Sequence, residues 1–567
     1  MRGVIAFIVS VAFAGCAFAA GEPVRYTLTP IIENGALKAV SVEMAFAGEP
    51  DGETEIVLPD EWGGKSDLWR GIGEFRVTGA GMSAVSNADP ARKIVRHAPS
   101  ATLTVRYRLT QFWDGEPAFN GENEYRPVVR PGYFHLIGHT AFARPAWSLA
   151  TRVSFAVLDL PATWRYASDL EHWSDAEPLN LARLMESISV GGDFRMATVG
   201  TLRVAIRGAW PFSDRDLVAR LEPIVASHHK FWGDERKPFL VTVLPLKSSP
   251  GSSSLGGTAL GDAFAFFATA NVDGGQITRV LAHEHLHSWI PRRLGAMPEI
   301  DDSAEYWLSE GFADFYTYRL LMRDGGMALD AFAKMANGVF WSYGFSPVRN
   351  AANSRIVEQF WSDRDVGQLP YQRGFLFAAL ADHRLRKATK GKFDLDDVMF
   401  AMKRDADAGS DRPVPVRQNF VVNMNKFGVD VTGDIERFIE KGETIALPSD
   451  VWRTCGPVST AEIAEFDRGF DGRRTMANHN IVVGVDPNGP AYAAGLRDGM
   501  LILRLDLGQG SDSRVPLVYR IAEGEHVREI SYLPQGKRRV SIQEFLLKGD
   551  LKDDERKMCT ARLAGTD

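Results

Sequence analysis

The sequence predicts a multidomain α+β protein: an antiparallel β-sandwich first, a mostly helical domain second, and a small domain of strands and turns last. Three observations predict it. From about Val24 to Ala205, apolar and polar residues alternate in short runs, the period of half-buried strands. From Asp214 to about Gly442 the apolar spacing is mostly helical. From Cys455 to Gly549, short apolar runs are again broken by glycine-rich turns. A chain of 567 residues exceeds what one hydrophobic core can serve, so several domains are expected.

In chain order, the first element is a targeting segment. Arg2 gives a minimal positive start, Val4 to Ala14 is apolar, and Ala17-Phe18-Ala19 fits a cleavage site of small residues. This predicts a signal peptide over 1–19 and an exported protein, periplasmic or extracellular. Phe13-Ala14-Gly15-Cys16 also resembles a bacterial lipoprotein box, so anchoring of a lipid through Cys16 is the second reading. After signal cleavage no segment is long and apolar enough to span a bilayer. The sandwich is expected over 20–208, with Asn34-Gly35 as a hairpin turn. The helical domain is expected over 209–450. It includes a helix over Asp214–Trp232, a strand from Pro238, and a stretch of small residues over Ser252–Gly261 that is a flexible loop or an edge strand. The last domain and tail are expected over 451–567.

Composition narrows the function classes. Hydrophobic residues make up 45% and charged residues 24%, as in ordinary globular proteins. A net charge of −7 and the lack of a basic block argue against nucleic acid as a partner. Beyond Cys16 the only cysteines are Cys455 and Cys559. In an oxidising compartment they are either a disulfide bracketing the last domain or two separate buried thiols.

The most specific chemistry lies at His283-Glu284-His285-Leu286-His287 and at Glu310 in Trp307-Leu308-Ser309-Glu310-Gly311-Phe312-Ala313-Asp314. Residues i and i+4 share one helical face, so His283 and His287 can grip one metal ion. Glu310, 23 residues beyond His287, can add a carboxylate from a second helix expected over Glu305–Arg323. Two imidazoles and a carboxylate around one Zn2+ leave a position open, the layout of a catalytic site rather than a structural one. Glu284 is then the group that activates water. His285 points away from the metal and is a packing residue or one that supports a ligand. His135 and His139 repeat the spacing, but no glutamate follows His135 and the context is loop or strand.

Near the C-terminus, Ile481-Val482-Val483-Gly484-Val485 precedes Gly489-Pro490-Ala491 and Gly495-Leu496, which resembles the core of a PDZ domain. That resemblance implies capture of a peptide C-terminus, with Arg468 to Gly472 offering a backbone nest. The zinc motif, the Trp-Leu-Ser-Glu-Gly-Phe segment and a C-terminal PDZ-like domain together resemble the glycyl aminopeptidase family of gluzincin zinc peptidases. The resemblance implies a thermolysin-like catalytic domain and a peptide or protein substrate. Carried over residue by residue, it implies His283, His287 and Glu310 as ligands and Glu284 as general base. Asp314 is implied as the carboxylate that orients a ligand imidazole. Tyr371, in Pro370-Tyr371-Gln372-Arg373-Gly374, is similar to the tyrosine of a Tyr-x-Lys-Gly motif that donates to the oxyanion, with Arg373 in place of the lysine.

One departure stands out. Family members commonly carry Gly-Gly-Leu-Glu-His upstream, whose glutamate binds the substrate amine. This chain has Gly256-Gly257-Thr258-Ala259-Leu260, and the nearest carboxylate is Asp262. Gly256, Gly257 and Arg292 remain candidate substrate contacts, with Arg292 and Arg293 facing a carboxylate, solvent or Asp301-Asp302. The expectation is an exported zinc aminopeptidase. The alternatives are an endopeptidase of altered specificity, and a PDZ peptide-binding scaffold with a vestigial zinc site.

Overall fold

The computed structural model describes residues 22–118, 123, 125–172, 178–248, 253–408, 414–508, 512–524 and 526–567. The signal peptide and Cys16 lie outside them. The chain divides into two compact units, Met1–Ser288 and Trp289–Asp567. Among the described residues no helix is long and apolar enough to cross a membrane.

In the first unit, strands Val24–Glu33 and Ala36–Ala47 form the expected hairpin. Asn34 and Gly35 both have positive φ, 51° and 75°, as a tight turn matching the strand twist requires. These strands join Thr102–Leu109 and Ile72–Gly79 in a five-stranded sheet. The fifth member, Val153–Val157, pairs parallel to Val24–Glu33, so this sheet is not purely antiparallel as expected. Two four-stranded sheets complete the β-rich part. Tyr26, Val42, Met44, Tyr107 and Phe142 lie in its core.

A further sheet runs in the order Arg195–Val199, Leu202–Ile206, Phe239–Leu246, Ala263–Thr269, Leu255–Leu260. Its three middle strands are parallel and its two edge strands antiparallel. The strand Ala263–Thr269 is apolar as far as Ala268 and buried throughout, as expected of a strand covered on both faces. Strands 195–206 look by pattern like the end of the sandwich, yet Leu202–Ile206 pairs with Phe239–Leu246 and Arg195–Val199 joins the same sheet as its edge. Period-2 alternation identifies a strand but not its partner. The small-residue stretch settles as the edge strand Leu255–Leu260. Helix Asp214–Trp232 starts where Ser213 accepts a hydrogen bond from the Asp216 N–H and stops at Gly233 in the left-handed region.

The second unit is helical to about residue 440, with helices Tyr306–Arg323, Leu329–Phe345, Asn353–Gln359, Arg364–Thr389, Leu395–Asp407 and Val416–Lys426. Tyr306–Arg323 and Arg364–Thr389 cross at two glycines. A Cβ on Gly374 would sit 1.9 Å from the Trp307 carbonyl oxygen, and one on Gly311 2.2 Å from Gly374 Cα. Only hydrogen fits at that crossing.

Beyond it, Val458–Phe466 pairs with Gln535–Phe545, and Leu501–Leu507, Leu517–Glu523 and His526–Tyr532 form a three-stranded sheet over Val482, Leu496, Tyr519 and Ile530. The chain then returns. Helix Asp553–Ala564 packs against Tyr306–Arg323, where Arg323 donates to the carbonyl oxygens of Ala564 and Gly565. Cys455 and Cys559, both fully buried, form a disulfide across a sequence separation of 104.

Candidate metal centre

The first ligand helix, Gly274–Leu286, is started locally. The Asp273 carboxylate accepts from the Gly275 and Gln276 N–H groups at 2.7 and 2.9 Å, and Gln276 Oε1 accepts from the Asp273 N–H at 3.1 Å. This reciprocal cap satisfies donors that helix starts leave open. Ile277, Leu281, Ala282 and Leu286 bury the apolar stripe. The helix ends at Leu286, and His287 occupies the C-cap with helical backbone angles. The i, i+4 relation therefore survives, and the Nε2 atoms of His283 and His287 converge to 3.3 Å. Glu284, between them in sequence, is half-buried.

His285 faces the other way, as expected, and is a packing residue. Its ring lies edge-on to Phe239 at 4.5 Å and stacks on His228 at 5.1 Å. Burial drives the His285 pKa well below its ordinary value and that of His228 down to about 3, so both rings are neutral. His135 and His139 are likewise structural. His135 hydrogen-bonds Thr242 at 3.1 Å and His139 stacks on Trp62.

On helix Tyr306–Arg323, Tyr306, Glu310 and Asp314 follow one another at one-turn intervals on one face, and all three are half-buried. Just before the helix the buried Glu305 carboxylate accepts from Trp307 Nε1 at 3.0 Å. The ligand nitrogens of His283 and His287 and a carboxylate oxygen of Glu310 all lie within 4.8 Å of one another. Among the described residues this is the one such group of three or more metal-ligating side chains. Its donor set and spacing fit a Zn2+ ion.

Asp314 and Tyr371 line one cavity of about 500 Å³, with Arg364, Gln368, Gln372 and Ser346. Proline before Tyr371 reads as a helix start, but the helix begins at Arg364, and Pro370 and Tyr371 lie inside it. Proline there forfeits one backbone hydrogen bond, which burial of the helix against its neighbours outweighs. Asp363 caps the true start, accepting from the Asp365 and Val366 N–H groups at 2.9 and 3.2 Å. Arg373, 1% exposed, donates through Nη2 to the carbonyl oxygens of Arg349 and Ala351 at 2.7 and 2.5 Å. It is a structural clamp beside Tyr371.

Position 257 has no room for a side chain, because a Cβ on Gly257 would sit 2.3 Å from the Phe264 ring, and the Gly257 carbonyl oxygen accepts from Tyr125 Oη at 3.1 Å. Gly256 precedes it on the same edge strand. Arg292 is exposed, while Arg293 pairs with Asp407 at 3.1 Å rather than with Asp301-Asp302. Asp262 lies in the turn before Ala263, near enough to Asp169 to help raise that carboxyl to about 8, although burial is the larger cause. At the proposed nest, the Gly469 and Asp471 N–H groups donate to Asp467 Oδ1 and the Val483 carbonyl oxygen. Motif reading missed Tyr306, although its position one turn before Glu310 was legible. It also missed the Gly311–Gly374 crossing, which no local pattern encodes.

No family model and no curated protein matches the chain. Solved structures do. An aminopeptidase N family protein from Idiomarina loihiensis superposes with a TM-score of 0.66 at 15% identity, covering 95% of this chain and 100% of that one. An M1 zinc metallopeptidase from Deinococcus radiodurans gives 0.46 at 18% identity, covering 76% and 96%. Yeast LTA4 hydrolase gives 0.41 at 15% identity, covering 76% and 69%. At these identities the likeness is one of fold.

Proposed function

We propose that this chain is an exported zinc-dependent metallopeptidase acting on peptide bonds, and an aminopeptidase of the glycyl aminopeptidase kind. One observation carries the reading: two imidazoles and a carboxylate grouped within 4.8 Å, with Glu284 adjacent to His283 in the same helix. The full-length likeness to the Idiomarina protein supports it. His283, His287 and Glu310 would hold a single Zn2+, which when bound would supply Lewis-acid polarisation of the scissile carbonyl and of the attacking water. Glu284 takes the proton from that water and delivers it to the leaving amine. The Tyr371 hydroxyl donates to the oxyanion. Asp314 accepts from a ligand imidazole and fixes its tautomer. The edge strand at Gly256-Gly257 offers main-chain groups to an extended substrate, and Arg292 a cation to its carboxylate. The PDZ-like domain binds a peptide C-terminus in this reading.

The test compares fluorogenic peptides bearing free and acetylated amino termini, with and without a chelator. Turnover that needs metal and a free amine supports the aminopeptidase reading. Equal turnover of blocked peptides reassigns the enzyme as an endopeptidase. Glu284→Gln keeps zinc by elemental analysis and loses roughly 10²–10⁴-fold in kcat. Full activity in that variant removes Glu284 as the base.

A further inference from the structure

Trp361 is the most exposed aromatic side chain among the described residues, at 68%. Its mount is not loose. It sits in the turn between helices Asn353–Gln359 and Arg364–Thr389. The Phe360 N–H donates to the Ile356 carbonyl oxygen at 2.9 Å, and Arg355 bonds Gln359 at 2.9 Å and approaches Asp363 at 3.4 Å. A Cβ on Gly367 would sit 2.8 Å from the Phe360 carbonyl oxygen, so the second helix lies tight against the turn. The fold thus holds a large apolar ring in water on a rigid support, where folding gains little from it.

The Trp361 ring stands edge-on to Phe360, with centroids 4.9 Å apart, and Phe360 stands edge-on to Tyr306 at 4.7 Å. Tyr306 is one helical turn before Glu310, on the same face of helix Tyr306–Arg323. The aromatic row therefore leads from solvent to the candidate metal ligand. One turn beyond Trp361, Arg364 is the first residue of its helix to line the cavity that also holds Asp314 and Tyr371. The row thus begins one helical turn from the candidate ligand Glu310, and its outer end lies three residues before Arg364, which lines the cavity shared by Asp314 and Tyr371.

We propose that Tyr306, Phe360 and Trp361 form a subsite for an aromatic or large apolar side chain of the peptide substrate, with Trp361 as the specificity-determining residue. This rests on the peptidase reading above. Aromatic rings recognise such a side chain by area and by edge-to-face geometry.

Two peptide series, varied from Gly to Leu to Phe on either side of the cleaved bond, test it on the full chain. Trp361→Ala should lower kcat/KM about tenfold for the best Phe peptide, mainly through KM, and less than twofold for its Gly counterpart. Trp361→Phe should recover most of the loss. Equal losses on both peptides, or none, overturn the proposal. Calorimetric titration of Glu284→Gln with the same Phe and Gly peptides separates the two readings. If neither peptide is hydrolysed in a metal-dependent way, the peptidase reading fails. The subsite still stands if the Phe peptide binds more tightly and Trp361→Ala in that background abolishes the preference. Equal affinities, or no binding of either peptide, overturn the subsite as well.

Discussion

The two helices that carry the candidate ligands are held by opposite means. Gly274–Leu286 is specified by its own residues: a capping box at Asp273 and Gln276, an apolar stripe, and two histidines one turn apart. Tyr306–Arg323 has no side-chain cap, and thirteen of its eighteen residues are buried, so no single face marks its core side. Distant groups hold it instead. Gly374 receives it, and Arg319, 2% exposed, sits among Asp382, Asp394 and Asp396 at 3.4, 2.5 and 2.8 Å. Burial raises the Asp394 carboxyl to about 6 although Arg319 and Arg386 pull it down, so this cluster is closely balanced. The C-terminal helix covers it, and Arg386 reaches the last residue, Asp567, at 2.6 Å. Imidazole spacing is thus a local property of the chain, whereas the position of the carboxylate is set from several directions.

Substitutions can break or sharpen this contrast. The largest expected effect comes from Cys559→Ser. It opens a loop of about 100 residues and should lower stability by about 4.7 kcal/mol, read from the urea midpoint of oxidised protein. An unchanged midpoint would mean that the tail is held without the disulfide. Arg319→Met leaves three carboxylates without their central cation and should cost about 3–5 kcal/mol in the same assay. Tyr371→Phe leaves the fold intact and should remove about 2.7–4 kcal/mol of transition-state stabilisation, seen as a roughly 10²–10³-fold fall in kcat with little change in KM. Wild-type turnover in that variant would leave the oxyanion to another donor. The smallest effect is expected from Asp273→Ala, about 1 kcal/mol, since one cap is lost and the stripe remains. If Asp273→Ala proves as costly as Arg319→Met, the distinction between a locally and a distantly held helix fails.

Legibility from sequence follows the same division. The Asn34-Gly35 hairpin, the Asp214–Trp232 helix and the helical bounds near Arg323 were readable because turn residues and caps act over a few positions. Pro370 reads locally as a helix start, and only burial against neighbouring helices lets the helix run through it to Tyr371. Strands 195–206 carried a clear strand pattern with no indication of their partner. The Tyr306–Phe360–Trp361 row joins residues more than fifty positions apart, beyond the reach of any periodicity.

By itself the sequence determined the chemistry available: which imidazoles share a helical face, which glutamate lies beside them, and where chain turns are cheap. Those depend on hydrogen bonds and backbone preferences spanning about one turn. Tertiary structure alone decided that the Glu310 carboxylate comes within 4.8 Å of both imidazoles, that two glycines let Glu310's helix and Tyr371's helix meet, and that Trp361 remains in water. Such outcomes rest on packing between segments far apart in the chain, and their contacts exist only after the loops between them have closed.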